Sequence, residues 1–198
     1  MKTTETTPEP RLAPPGAGLP WPELQIARLR FRWARRSGDG PHFDAVFRRE
    51  REAIADGIRS CSAEEAAERV LIKRIRGLED SSRHWSVWMV LDHLRITNEA
   101  FANIMTALHN GIVPPRPATT AAVKPDPEVG GEVVAAYERS CDAVLAASAV
   151  TGEGRTSANF AHPWFGPLDA GGWHALSGFH MGLHRKQIER ILAGLRGR

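Results

Sequence analysis

The chain has 198 residues, 42% hydrophobic and 25% charged, with a net charge of +3. That length suits one domain with a sizeable core and is short for two, and so mild a charge does not demand a nucleic-acid partner. Two cysteines, Cys61 and Cys141, give no disulfide framework and point to a reducing, cytoplasmic setting. No apolar run approaches the ~20 residues of a transmembrane helix. The polar opening Met1-Lys2-Thr3-Thr4-Glu5 has no apolar stretch of the secretory kind.

Residues 1–20 hold five of the fourteen prolines with Thr, Glu and Gly, and are expected to form a disordered tail. From Pro22 to Arg36, Leu29, Phe31 and Trp33 alternate with Arg28, Arg30 and Arg32, as in a strand. Pro22 suits a first helical turn, however, and Leu24, Ala27, Phe31 and Ala34 form a helical stripe, so a basic amphipathic helix is favoured. Residues 1–40 are thus a tail and a basic arm, disordered or loosely docked, and residues 41–198 are the folded domain.

Four long helices are expected in that domain. The first runs from about His42 to Ser60. Ser62, with Glu65 three residues on, then starts a shorter helix through Val70, Leu71 and Ile72. The second long helix spans about Ser82 to Asn110 and stops at Gly111. The third covers about Pro127 to Ala147. Asp169 caps the fourth, which reaches about Gly194 and follows the loop His162-Pro163-Trp164-Phe165-Gly166-Pro167. No strand pattern competes elsewhere, so the expected class is all-α, a four-helix bundle.

Histidines concentrate the chemical signal. His180 and His184 are one helical turn apart, and with His180 at zero His184 falls at about 40° and Gln187 at about −20°. Trp173, Leu176, Ser177 and Ile191 share that face, while Arg185, Lys186 and Glu189 point away. On the second long helix His93 lies amid Ser86, Met89, Val90, Thr97, Ala100 and Ile104, all within about 60°. Desolvated imidazoles each need a partner, and one metal ion would satisfy three of them together.

The segment Trp85-Ser86-Val87-Trp88-Met89-Val90-Leu91-Asp92-His93-Leu94, with the block His180-x3-His184-x2-Gln187 behind His162-Pro163-Trp164-Phe165-Gly166-Pro167, resembles the DinB-like superfamily over about residues 42–196. The resemblance implies a four-helix bundle, often dimeric, with a three-histidine site for nickel, zinc or a similar ion. By it the metal ligands are His93, His180 and His184. Some such proteins are thiol-dependent transferases or isomerases.

Three neutral imidazoles suit Zn or Ni, and also Fe or Co, and leave positions open for water or a substrate thiolate. Trp164 and Phe165 are candidates for an apolar mouth, whereas Trp85 and Trp88 are expected in the core. No H-E-x-x-H or E-x-x-H is present, which disfavours a zincin and a di-iron carboxylate site. Gln187 is the candidate supporting partner of a ligand. His162 is either a loop cap or a group within reach of the site. His42, His84, His109 and His174 are not assigned to it, and Cys141 is expected simply to pack. The functional expectation is a metal-dependent enzyme acting on a small-molecule thiol or related nucleophile, as a homodimer. The alternatives are a non-catalytic, metal-stabilised stress-response bundle, and recruitment to acidic surfaces through the Arg28–Arg36 stretch.

Overall fold

Helix boundaries follow local capping chemistry wherever a cap is present. In this computed structural model, which describes residues 10–152 and 154–197, α1 spans Trp21–Arg36 and α2 spans Gly40–Arg59. Asp39 caps α2 by accepting the His42 N–H at 3.0 Å. Helix α3, Ala63–Ala67, starts with the full capping box of Ser62 and Glu65. Ser86 caps α4, Val87–His109, and Asp169 caps α6, Ala170–Arg196, each accepting a backbone N–H three residues on. Gly111, at φ +73°, follows the end of α4 as the sequence indicates.

The four long helices make the bundle. Helix α4 packs on α6 and on α5, Val133–Thr151, while α2 packs on α6 and touches α5. Gly178 allows the α2–α6 approach, because a Cβ there would lie 2.9 Å from Val46 Cγ1 and 3.3 Å from the Phe47 backbone nitrogen. The core runs through Phe47, Ile54, Leu91, Leu94, Met105, Tyr137, Trp173 and Ile188. Asp44 ties three helices together, accepting the Ser148 hydroxyl at 2.7 Å and lying 3.0 Å from His174 Nε2.

Several expectations need correction. The apolar run Val70-Leu71-Ile72 is not helical. Helix α3 ends at Ala67, Glu68 is extended, and Val70–Leu71 forms strand β1, antiparallel to His84–Trp85, strand β2. The β-branched side chains suit that pairing, and Ile72 N–H donates to Arg83 O at 3.0 Å to extend it. The second long helix therefore begins at Val87 rather than Ser82, because Ser82–Trp85 are used in a 3-10 turn and β2. The third begins at Val133 rather than Pro127, beyond Gly130-Gly131, and runs on to Thr151. The loop before α6 is a hairpin of β3, Phe160–His162, and β4, Gly166–Leu168, closed with Gly166 at φ +74°.

The basic arm is helical, as favoured. It lies against α6, with Phe31 buried against Phe165 and Phe179 at ring-centroid distances of 4.6 and 5.6 Å. Arg28 donates to Trp164 O at 2.6 Å and Arg35 pairs with Asp169 at 2.7 Å. Of the expected disordered tail, residues 1–9 lie outside the described residues. Within the rest, Ala13 N–H donates to Asp80 and Gly18 N–H to Glu79, so that part is held on the domain.

Candidate metal centre

The cap at Ser86 sets the phase of α4 and places His93 about two turns inside it; the cap at Asp169 sets the phase of α6, with His180 and His184 about three and four turns in. Where α4 crosses α6 the three imidazoles meet. His93 Nε2 and His180 Nε2 are 3.2 Å apart, and one nitrogen from each ring lies within 4.8 Å of the others. Both His93 and His180 stand 4.5 Å from His184 between ring centroids. His93 and His184 are buried and His180 partly so.

Hydrogen bonding fixes the direction of two rings. Val123 O is a carbonyl and can only accept, so His93 Nδ1, 2.6 Å away, carries the proton and leaves an Nε2 lone pair facing inward. The Gln187 amide donates to Ser82 O at 2.7 Å, which turns its own oxygen toward His184 Nδ1 at 2.7 Å. His184 thus also donates from Nδ1, leaving its Nε2 lone pair free. Nδ1 of His180 is buried without a partner among the described residues.

Burial sets the charge state. It pushes His93 down to about 4 and holds His180 and His184 well below the ordinary histidine range, with the neighbouring imidazoles adding to the effect. All three are neutral near pH 7, as metal ligands must be. Ligand nitrogens on a tetrahedral zinc, each at about 2.0–2.1 Å, stand roughly 3.3 Å apart, close to the His93–His180 separation. The donor set therefore fits a divalent ion, and the cluster could hold one.

The cluster lines a cavity of about 480 Å³ walled by α1, α2, α4, α6 and the loops between them. Trp164 and Phe165 line it, as expected of an apolar mouth. Trp88 is core, and Trp85 is buried over the cluster, 5.3 Å from His93 and 6.4 Å from His184 between ring centroids. His162 also lines the cavity and caps its own hairpin, its Nδ1 accepting the Trp164 N–H at 3.1 Å. Its ring stacks on Phe165, and burial lowers it to about 4. Cys141 is buried beside Asn98, away from this cavity, and burial pushes its thiol up to about 12. His174 is held by Asp44 and takes no part.

Some residues of the site had no signal in the sequence. Val123 and Ser82 act through backbone carbonyls, which no side-chain pattern reports. The carboxylates Glu23, Glu50 and Glu79 line the cavity from three different elements. Each is held by a cation: Glu23 by Arg74, Glu50 by Arg185 and Glu79 by Lys124. Lys124 also lies 5.4 Å from the Trp85 ring centroid and so spans from the carboxylate to the lid of the cluster.

The family model of the DinB superfamily matches residues 6–188. The chain belongs to the DinB superfamily. Among solved structures, this DinB-superfamily protein is similar to TT2238, described as a four-helix bundle protein, with 19% identity and a TM-score of 0.56. That match covers 76% of this chain and 98% of TT2238 and supports the bundle architecture. No curated protein matches the sequence. Among the described residues no helix is long and apolar enough to cross a membrane.

Proposed function

We propose that this DinB-superfamily protein is a metal-dependent enzyme acting on a small-molecule thiol or related nucleophile, with His93, His180 and His184 holding a zinc or nickel ion. Iron and cobalt are compatible with the same donors. The carrying observation is the convergence of three neutral imidazoles, two of them aimed by Nδ1–H donation to fixed carbonyls, at the wall of a cavity of substrate size. A bound ion would supply Lewis acidity, lowering the pKa of a thiol or water beside it. The chain's own residues do the rest. Val123 and Gln187 hold the ligand rings, Trp85 shields them from water, and Trp164 and Phe165 offer apolar contact to a substrate. Gln187 acts as the supporting partner. His162, holding its proton on Nε2, is a hydrogen-bond donor to the cavity rather than a base.

The test is metal content by mass spectrometry after reconstitution, for wild type and for His93→Ala, His180→Ala and His184→Ala. Near one equivalent in wild type with loss in each variant is expected; wild type without stoichiometric metal would sink the reading. The pairing of all three cavity carboxylates with cations favours a second reading, a non-catalytic metal-stabilised bundle. Screening the metallated protein for thiol adducts and turnover separates the two, and persistent inactivity supports the second. The setting we propose is cytoplasmic, in keeping with two free thiols, and the assembly a homodimer.

A further inference from the structure

Helix α1 turns two faces to its surroundings. Phe31 is buried on one. On the other, Trp33 is 73% exposed, Leu29 67% and Ile26 50%, while Trp21, at the helix start and about 120° round from Trp33, is 73% exposed. With Trp33 at zero, Ile26 and Leu29 fall within about 40° of it, and Phe31 at about 160°. Arg30 and Arg36 flank the apolar stripe about 60° to either side, with Arg32 beyond. All three arginines are exposed. Two ties keep this stripe facing outward, Arg28 to Trp164 O and Arg35 to Asp169. A shallow groove bounded by Leu29, Trp33, Ala34 and Phe179 runs beside it.

We infer that the outer face of α1 is a docking surface for an anionic phospholipid bilayer, on which the helix lies flat. Apolar residues including tryptophan on one face, with arginines at its margins, are the pattern of an interfacial helix: the rings enter the headgroup boundary and the guanidiniums meet lipid phosphates. Charge decides between occupants. The one acidic residue of α1, Glu23, is already engaged by Arg74 and the Gly77 N–H. A second copy laid on this stripe would bring arginine against arginine with no carboxylate of α1 to offset them, whereas an anionic membrane offers compensating charge along the whole ~24 Å of helix. Ile26 and Arg30 also line the cavity, so docking would set that wall of it at the lipid interface.

Co-sedimentation with vesicles of equal parts phosphatidylglycerol and phosphatidylcholine, against pure phosphatidylcholine, tests this on the full chain. Expected are binding to the anionic vesicles only, a blue shift of tryptophan fluorescence, and weakening when salt rises from 0.1 to 0.5 M, roughly as the Debye length shortens. Leu29→Ser with Trp33→Ser, and separately Arg32→Glu with Arg36→Glu, should each weaken partitioning at least about tenfold. Leu29, Trp33 and Arg36 lie about 140–160° from Phe31 and Arg32 about 100° from it, all four are exposed, and circular dichroism checks that the variants fold. Absence of binding to anionic vesicles, or equal binding by both variants, overturns the inference. So does a dimer in sedimentation analysis that Leu29→Ser with Trp33→Ser dissociates, since a second copy then covers the face.

Discussion

Gln187 shows how much one buried side chain can do at this site. It is fully buried, accepts from His184 and donates to Ser82 O. Gln187→Leu keeps the bulk and strands both partners, which costs stability on the order of 1–3 kcal/mol for each group left unsatisfied. Under the proposed metal-dependent function, metal affinity should fall about 10–100-fold, the usual cost of removing a hydrogen-bond partner from a ligating histidine, measured by competition with a chromophoric chelator. Unchanged affinity would mean that His184 needs no help in aiming. His162 governs a different property. Its folded-state pKa of about 4 lies below the ordinary 6.5, so the unfolded chain takes up a proton in that window and the folded one does not. Stability from this residue is full above pH 6.5 and is lost as pH falls toward 4. Removing it with His162→Phe should reduce the drop in urea midpoint over that window by about one proton's worth, and an unaltered pH slope would count against burial as the cause. The spacing of His180, His184 and Gln187 exposed this chemistry in the sequence because one helical turn is local. Glu23, Glu50 and Glu79 carried no such mark, because they reach the cavity from separate elements.

At the level of elements, α6 is the organising helix. It presents His180 and His184 to α4, Gly178 to α2 and Phe179 to α1. Gly178→Ala would press a methyl into Val46 and the Phe47 backbone, and overpacking of that kind costs roughly 1–3 kcal/mol, read as a lower urea midpoint at unchanged m-value. Helix α1 depends on far less. Phe31 is its one buried residue, so Phe31→Ala should loosen that helix before the bundle. Hydrogen exchange in residues 21–36 should accelerate while that of α4 stays slow; uniform acceleration would make α1 part of the cooperative core. The helix starts were legible in the sequence where a cap and an apolar period coincide, as at Ser62 and Asp169, whereas the cap at Ser86 falls inside the helix expected from the sequence. The ladder of β1 with β2 was not legible. Val70 pairs with Trp85, and a two-residue strand has no period of its own to read. That hidden ladder matters to the site, since Ser82, just before β2, presents the carbonyl that orients Gln187.

For the whole molecule, a metal at the α4–α6 crossing would act as a cross-link present only in the folded state. Ligand at about 100 times its dissociation constant adds roughly 2.7 kcal/mol, which for a chain of this size raises the melting temperature by about 5–10 °C. Zinc or nickel should produce that rise in wild type and none in His93→Ala, and an equal rise in the variant would place the ion elsewhere. Other ties hold the bundle without metal. Arg51 joins α2 to Glu138 and Asp142 of α5, and Asp44 joins α2 to α5 and α6. By itself the sequence determined the helical class, the bundle and the turn-spaced pair His180 and His184, because helical period, caps and one-turn spacings are written in residues close together along the chain, whereas the meeting of His93 with His180 spans 87 residues. Tertiary structure decided what surrounds them: the carbonyls that aim the rings, the ion-paired carboxylates, and the arm that walls the cavity. Those contacts join residues as far apart as Arg28 and Trp164, and only packing brings such groups within reach of one another.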